Sequence, residues 1–177
     1  ISMLLFGSMI IMMDSFGEIF LGGLEDRQSW DAQAFTMGNE QAIVEWAEEN
    51  DAEHELMLMF PGTPENDTRQ FTAFGLETVS DVVGESMYLI ALNKGELPAA
   101  NQSTPEILID EGLNHFLGWE IGEIHTIVFG TKSVHVKITG FTGGEISRTV
   151  YFHRADLADV LELEATIVML QLPDGVE

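Results

Sequence analysis

The second half of the chain shows the clearest alternation of apolar and polar positions. Residues 107–109 form a short apolar run with β-branched members, which is typical of a strand. Asp110 follows at once and can cap a helix by accepting a backbone N–H. Gly118 ends this predicted helix, because glycine takes the left-handed conformation at little cost. Between the two, apolar positions recur at helical spacing: Leu113, Phe116 and Leu117.

The pattern after this helix predicts a β-hairpin and then one more strand–helix–strand unit. Residues 124–129 and 133–141 are the two strands of the hairpin, with a turn centred on Thr131. Such a turn would create two pairs across the hairpin: His135 with Ile127, and His125 with Lys137. The remaining strand, helix and strand are expected at residues 146–152, 154–163 and 165–172.

The first half of the chain has weaker periodicity, but it indicates a strand, a helix and two more strands. In that order they are expected at residues 28–38, 39–50, 54–60 and 69–76. Residues 61–67 predict a turn, because residues that bend or stiffen the backbone are dense there. Residues 78–93 predict a short helix followed by a strand, and residues 94–104 form the longest polar connector.

Residues 1–13 contain no charged side chain, and residues 14–24 become amphipathic. The uncharged stretch is shorter than the about 20 residues that cross a bilayer, and it lacks the basic start of a signal peptide. Because the chain does not begin with Met, one interpretation is that this stretch is the outer end of a membrane helix, with another span expected after Glu177. The alternative is a buried core helix of a soluble protein. If the stretch is the end of a membrane helix, its large side chains are predicted to contact the membrane or a second copy of the domain: Leu4, Leu5, Phe6, Ile10, Ile11, Phe16 and Phe20.

Composition narrows the classes of partner. The chain has 177 residues, with 7 Lys and Arg against 30 Asp and Glu, so its net charge is −23. This charge repels phosphate backbones and anionic membrane surfaces, so nucleic-acid binding is not expected. The sequence has no cysteine, which excludes disulfides, thiolate zinc sites and cysteine catalysis.

The residues that carry most enzyme and metal chemistry are dispersed. The 5 histidines form no HExxH pair, and the acidic runs at residues 48–53 and 65–67 lack the spacing of a calcium loop. Residues 130–133 read Gly-Thr-Lys-Ser but lack the earlier glycine of a phosphate loop, and there is no GxSxG motif. We therefore predict no catalytic centre, no cofactor and no tightly bound metal.

From residue 106 the chain runs through an apolar strand, a short helix ending in Leu-Gly, an Ile-Gly-Glu connector and a hairpin ending in Thr-Gly-Phe. This order resembles the extracytoplasmic domain of the MacB/LolC/FtsX-like ABC transporter permeases. Residues 95–98, Gly-Glu-Leu-Pro, resemble a turn that the family has before this segment. Glu123 stands where the family usually has Asp, and Asn114 where it usually has Ala. The matching positions are residues 107–109, Leu113, Leu117, Gly118, Gly122, Glu123, residues 134–138 and Gly140.

The resemblance covers residues 85–172 well and the earlier residues only by the order of elements. It implies a mixed α+β (α/β) domain of two lobes, in which short mixed sheets pack against three to four helices behind a long N-terminal helix. Residues 1–24 would be the end of a membrane helix and its stalk. The two lobes would be residues 25–93 and 94–177.

The resemblance also implies a role. Such a domain does no chemistry, lies on the extracytoplasmic side of the membrane, and contacts an exported substrate, a lipoprotein or a partner protein. Its expected partners are the rest of the permease, a separate cytoplasmic ATPase and a possible second copy of the domain. The alternative is a free-standing secreted or surface binding module that oligomerises through its N-terminal helix.

Overall fold

The structure, a computed structural model, describes residues 28–36, 38–143 and 148–173. Within these residues the chain forms a nine-stranded mixed sheet and three α-helices, which confirms the mixed α+β class. The helices are α1 (Glu40–Glu49), α2 (Glu111–Leu117) and α3 (Arg154–Leu161). The strands are β1 (Ala32–Phe35), β2 (Glu53–Pro64), β3 (Phe71–Leu76), β4 (Leu92–Gly95), β5 (Glu106–Asp110), β6 (Ile124–Phe129), β7 (Lys132–Thr142), β8 (Thr149–His153) and β9 (Ile167–Gln171).

Six of these strands close into a barrel, in the order β2–β3–β8–β5–β7–β6. Closure depends on the long strand β2, because its residues 57–62 pair with β3 while Thr63 and Pro64 pair with β6. Strands β9 and β1 extend the sheet from the first part of β2, and β4 pairs with β7. Strands of both predicted lobes share this sheet, and the division into lobes at residues 94–104 stays a prediction.

The main hydrophobic core fills the barrel. A second cluster around Tyr88, Tyr151 and Met169 covers the opposite face of the sheet, because Tyr151 alternates with inward residues along β8. Each large side chain buried in this way contributes roughly 1.5–3 kcal/mol to folding. The buried residues of the main core come from all barrel strands and from α2 and α3: Leu58, Phe71, Ala73, Ile107, Ile109, Leu113, Ile127, Phe129, Val136, Ile138, Phe141, Val150, Phe152, Leu157 and Leu161.

Helices α2 and α3 lie at opposite ends of the barrel. α2 begins directly after β5 and α3 directly after β8, and these two strands are antiparallel neighbours. We call the two ends of the barrel the α2 end and the α3 end. At the α3 end Leu157 and Leu161 are 0% and 8% exposed, whereas Leu113 is the one buried residue of α2.

Two glycines allow β4 and β7 to approach closely where they pair. A Cβ atom on Gly95, whose φ is 91°, would lie 2.3 Å from the Thr139 carbonyl oxygen. A Cβ atom on Gly140 would lie 2.6 Å from the Lys94 carbonyl oxygen. Larger residues would therefore collide with backbone atoms. Both glycines belong to the motifs that carry the family resemblance, and this close approach is their physical reason.

The prediction of a short helix in the first part of residues 78–93 is wrong. The Ser80 hydroxyl donates to the Glu85 carboxylate at 2.6 Å and accepts from the Val82 N–H at 3.1 Å. The Glu85 N–H also donates to the Val82 carbonyl, and Gly84 has a φ of 87°. These local hydrogen bonds stabilise a tight turn in place of the helix. The strand expected after it begins only at Leu92, as β4, and continues to Gly95 in the predicted connector.

The turn predicted at residues 61–67 begins too early, because β2 continues to Pro64. Proline is tolerated at position 61 because this edge of β2 has no strand partner between Met57, beside β9, and Thr63, beside β6. Gly62 leaves room for aromatic rings, since a Cβ atom there would lie 2.7 Å from the ring of Phe129.

The predicted register of the β6–β7 hairpin is wrong by one residue. His125 lies opposite Val136, and Thr126 lies opposite His135. The connection is a two-residue turn between Phe129 and Lys132, which is shorter than a turn centred on Thr131 requires. Lys137 is consequently opposite Ile124 and forms an ion pair with Glu106 at 2.9 Å.

Candidate functional site

The α2 end of the barrel exposes an aromatic side chain that the helix holds in a fixed position. The Asp110 carboxylate caps α2 by accepting the Leu113 N–H at 3.0 Å, and Gly118 ends it with a φ of 68°. Both predicted ends of this helix are confirmed. Phe116 lies in the last turn and is 53% exposed, although it shares the helical spacing of the buried Leu113.

Arg69 holds the loop after β2 against this helix. Its guanidinium donates to the Phe116 carbonyl oxygen at 2.9 Å and pairs with the Asp67 carboxylate at 2.7 Å. The hydrogen bonds from Arg69 lower the pKa of the Asp67 carboxyl group below its usual value. Since these contacts use the nitrogens on both sides of the guanidinium, Arg69 mainly positions Phe116.

Arg148 contacts the same ring but makes fewer bonds. Its guanidinium carbon lies 5.4 Å from the centre of the Phe116 ring, and that of Arg69 lies 6.0 Å from it. The Arg148 carbonyl accepts the Thr72 N–H at 2.9 Å, which fixes its backbone beside β3. Among the described residues no hydrogen bond or ion pair reaches the Arg148 guanidinium, and the residue is exposed. Within the described part of the chain its donors are therefore available to a partner.

A cleft of about 230 Å³ adjoins this ring. Trp119 and His125 form one wall, with their ring planes stacked 4.1 Å apart between centroids and tilted by 6°. Asn114 fixes this wall, because its side chain accepts the Trp119 N–H at 3.0 Å and donates to the Trp119 carbonyl at 3.1 Å. This is the physical role of a residue that departs from the family pattern.

Glu123, the second departure, stabilises the connector next to the cleft. Its carboxylate accepts the Glu120 N–H at 2.9 Å and contacts the His125 ring nitrogen at 2.8 Å. The Glu120 N–H and then His125 lower the pKa of the Glu123 carboxyl group. We call the surface formed by Phe116, Arg69 and Arg148, with the cleft beside it, the Phe116 patch.

The first and last described segments lie together, at the opposite end of β2. The Asp31 N–H donates to the Leu170 carbonyl at 2.9 Å, and the Leu172 N–H donates to the Asp31 carboxylate at 2.8 Å. Glu53, the first residue of β2, pairs with Gln171 of β9. The Phe116 patch adjoins Pro64, the last residue of β2. The 12 residues of β2 separate the two places by roughly 35 Å along the strand.

The residues predicted as membrane or oligomer contacts, Leu4 to Phe20, lie outside the described residues, and those contacts stay predictions. In the described part of the chain no helix is long and apolar enough to cross a membrane. No group of three or more His, Asp or Glu side chains within the same residues could hold a metal ion. Of the acidic run at residues 65–67, Asp67 is bound by Arg69.

No protein-family profile matches the chain, and no curated protein sequence is similar to it. Solved structures are similar. The extracellular domain of the ABC-type transporter YknZ from Gram-positive bacteria matches 81% of this chain and 83% of its own, with a TM-score of 0.53 and 11% identity. The periplasmic region of MacB from Actinobacillus actinomycetemcomitans matches 83% of this chain and 69% of its own chain, with a TM-score of 0.47 and 12% identity. A domain of a Porphyromonas gingivalis permease protein matches 71% of this chain and 62% of its own chain, with a TM-score of 0.42 and 15% identity.

The fold is therefore similar to that of the extracellular domain of YknZ, an ABC-type transporter, which confirms the kind of fold that the sequence resemblance implied. Among these three structures, the YknZ domain is the one whose TM-score exceeds 0.5. The Phe116 patch was missed in the sequence. Its signal there is weak, because Arg69 and Phe116 are 47 positions apart and only barrel closure brings them together.

Proposed function

We propose that this chain is a non-catalytic extracytoplasmic domain of an ABC-type permease subunit, and that it contacts a substrate or partner protein through the Phe116 patch. The observation that carries the proposal is the placement of the two ends of β2. The chain enters and leaves the described fold at Asp31 and Leu172, which are bonded to each other. A domain attached to a membrane at that end holds the Phe116 patch away from the bilayer.

The fold of the YknZ extracellular domain supports the proposed class. In such a permease a separate cytoplasmic ATPase supplies the energy, and this domain moves with the membrane helices to which it is joined. The contacts proposed for Leu4, Leu5, Phe6, Ile10, Ile11, Phe16 and Phe20 belong to the same picture, since they would lie where the chain reaches the membrane.

The side of the membrane can be tested by cysteine labelling, because this chain has no cysteine. Ser103→Cys lies in an exposed loop, and Ala73→Cys is the control at a position that is 0% exposed. We expect a membrane-impermeant maleimide to label Ser103→Cys in intact cells that carry the parent protein without other cysteines. The control should react only after denaturation.

Labelling of Ser103→Cys only after cell lysis would contradict the proposed location. Labelling of a protein that is released from cells without membrane would favour the secreted binding module. Copurification of an ATPase with the labelled membrane protein tests the transporter class separately.

A further inference from the structure

Basic side chains are scarce in this chain, and two of them meet at one exposed ring. The sequence has 7 Lys and Arg, and Arg69 and Arg148 both lie over Phe116. Arginine and aromatic residues are enriched where protein interfaces gain most of their binding energy. In a chain of net charge −23, this pairing provides a local contact for an anionic group that the rest of the surface repels.

The two arginines differ in what they can offer. Arg69 is occupied by the Asp67 carboxylate and the Phe116 carbonyl oxygen. Arg148 lies over the ring, no hydrogen bond or ion pair from another described residue reaches its guanidinium, and its backbone is fixed by Thr72. A planar guanidinium with open donors binds a carboxylate through two parallel hydrogen bonds, and the exposed part of Phe116 can pack against an adjacent apolar side chain.

We propose that the Phe116 patch binds an acidic segment of a partner protein, with a carboxylate of that segment on Arg148 and a neighbouring apolar side chain on Phe116. This assignment rests on the proposed function, which it deepens by giving the partner's chemistry. Arg69 is a positioning residue, since it acts through Asp67 and the carbonyl oxygen of Phe116.

Charge and position favour a protein over a lipid surface. An anionic bilayer presents its charge over a wide area, and the 30 acidic residues of the chain would be repelled by it. A peptide segment can instead place one carboxylate on Arg148 locally. The patch also lies at the end of β2 opposite to the segments through which the chain enters and leaves the fold.

The test uses the 177-residue chain and an acetylated, amidated hexapeptide of alternating Glu and Leu, with the Gln–Leu hexapeptide as control. Titration is followed by ¹H–¹⁵N NMR. We expect the Glu peptide to shift the resonances of Phe116, Trp119 and Arg148, and the Gln peptide to shift them much less. Raising the salt concentration should weaken the binding, because it depends on a charge pair at the surface.

The matched variants are Arg148→Glu and Lys94→Glu, which change the net charge equally. Lys94 also lies over a phenylalanine ring, with Nζ 6.0 Å from the centre of Phe141. We expect Arg148→Glu to weaken the Glu peptide about tenfold, which corresponds to about 1.4 kcal/mol, and Lys94→Glu to leave its affinity within about twofold. Arg148→Gln should give an intermediate loss.

Three results would overturn the assignment: no shifts with the Glu peptide, equal shifts with both peptides, or equal losses in Arg148→Glu and Lys94→Glu. Sedimentation with phosphatidylglycerol vesicles tests whether the patch binds a lipid surface. If the chain binds these vesicles and Arg148→Glu abolishes that binding, the partner is a membrane and not a protein. The outcome is independent of the cysteine labelling, so an extracytoplasmic permease domain that ignores the peptide would leave the proposed function standing and refute only this site.

Discussion

The two ends of the barrel are built from the same unit, a strand followed at once by a short helix, but the two helices differ in which side chains they bury. α3 directs Leu157 and Leu161 into the core and buries even Asp156, which is 7% exposed. α2 buries Leu113 and turns Phe116 outward. Helix α3 therefore turns its leucines to the core, whereas α2 leaves a large aromatic side chain exposed and available for contact.

The helix ends differ in the same sense. α2 has a side-chain cap from Asp110 and a glycine at its end, whereas His153 makes no side-chain cap for α3. α3 ends on Glu162, a non-glycine residue with a φ of 57°. Helix α2 is therefore specified locally, and α3 depends on its packing against the barrel. A surface that presents a binding residue benefits from the local kind of stability.

The largest expected effect on stability comes from a substitution that removes packing at the α3 end. Leu157→Ala should lower the free energy of unfolding by about 2–5 kcal/mol, because Leu157 is fully buried and its loss leaves a cavity. Phe116→Ala should cost about 1 kcal/mol or less, since the ring is half exposed. Urea unfolding measures both. Equal losses in the two variants would show that the ends do not differ as described.

Removing the side-chain cap of α2 should have the next largest effect. Asp110→Ala deletes the acceptor for the Leu113 N–H and should cost about 0.5–2 kcal/mol of stability. Asp110→Asn keeps an acceptor and should cost only a few tenths of a kcal/mol. Thermal or urea unfolding of the pair checks the prediction, and an Ala variant as stable as the Asn variant would refute the capping role.

Replacing the residue that ends each helix should change the stability of the protein in opposite directions. Glu162→Gly relieves a left-handed non-glycine residue and should stabilise the protein by up to about 1 kcal/mol. The ion pair that it loses, to Lys132, is at the surface and contributes little. Gly118→Ala should destabilise by about 1 kcal/mol, because φ is 68° there. If both variants shift the urea midpoint in the same direction, the left-handed conformations do not decide these ends.

The smallest effect concerns pH. Burial raises the pKa of Asp156 above its usual value, although the Asn101 N–H opposes the shift. The folded state thus holds this proton more tightly, so the stabilisation is present at low pH and is lost as pH rises through the folded pKa. Asp156→Asn, which can still accept from the Asn101 N–H, should gain stability relative to the natural protein as the pH rises above 3.8, the ordinary pKa of an aspartate. A parallel pH dependence of the two proteins would contradict this.

Sequence patterns predicted α2 well because its signals are local, with a capping Asp110 and a terminal Gly118 only a few residues apart. They failed at residues 78–87, where Ser80 and Glu85 bond each other across a turn and apolar residues face outward. They also could not indicate that Phe116 is exposed. Helical spacing groups it with Leu113 and Leu117, but whether another element covers that face is set by barrel closure, which brings Arg69 and Arg148 to the ring.

Site-specific photo-crosslinking in the parent membrane protein tests the division between the two ends most directly. A photoreactive phenylalanine analogue replaces either Phe116, at the α2 end, or Leu163, which is 43% exposed after α3. We predict that position 116 crosslinks to an extracytoplasmic protein through a segment that carries Asp or Glu, that Arg148→Glu removes the crosslink, and that position 163 gives none. Crosslinks from position 163 alone, or crosslinks from position 116 that persist in Arg148→Glu, would contradict the assignment of binding to the α2 end.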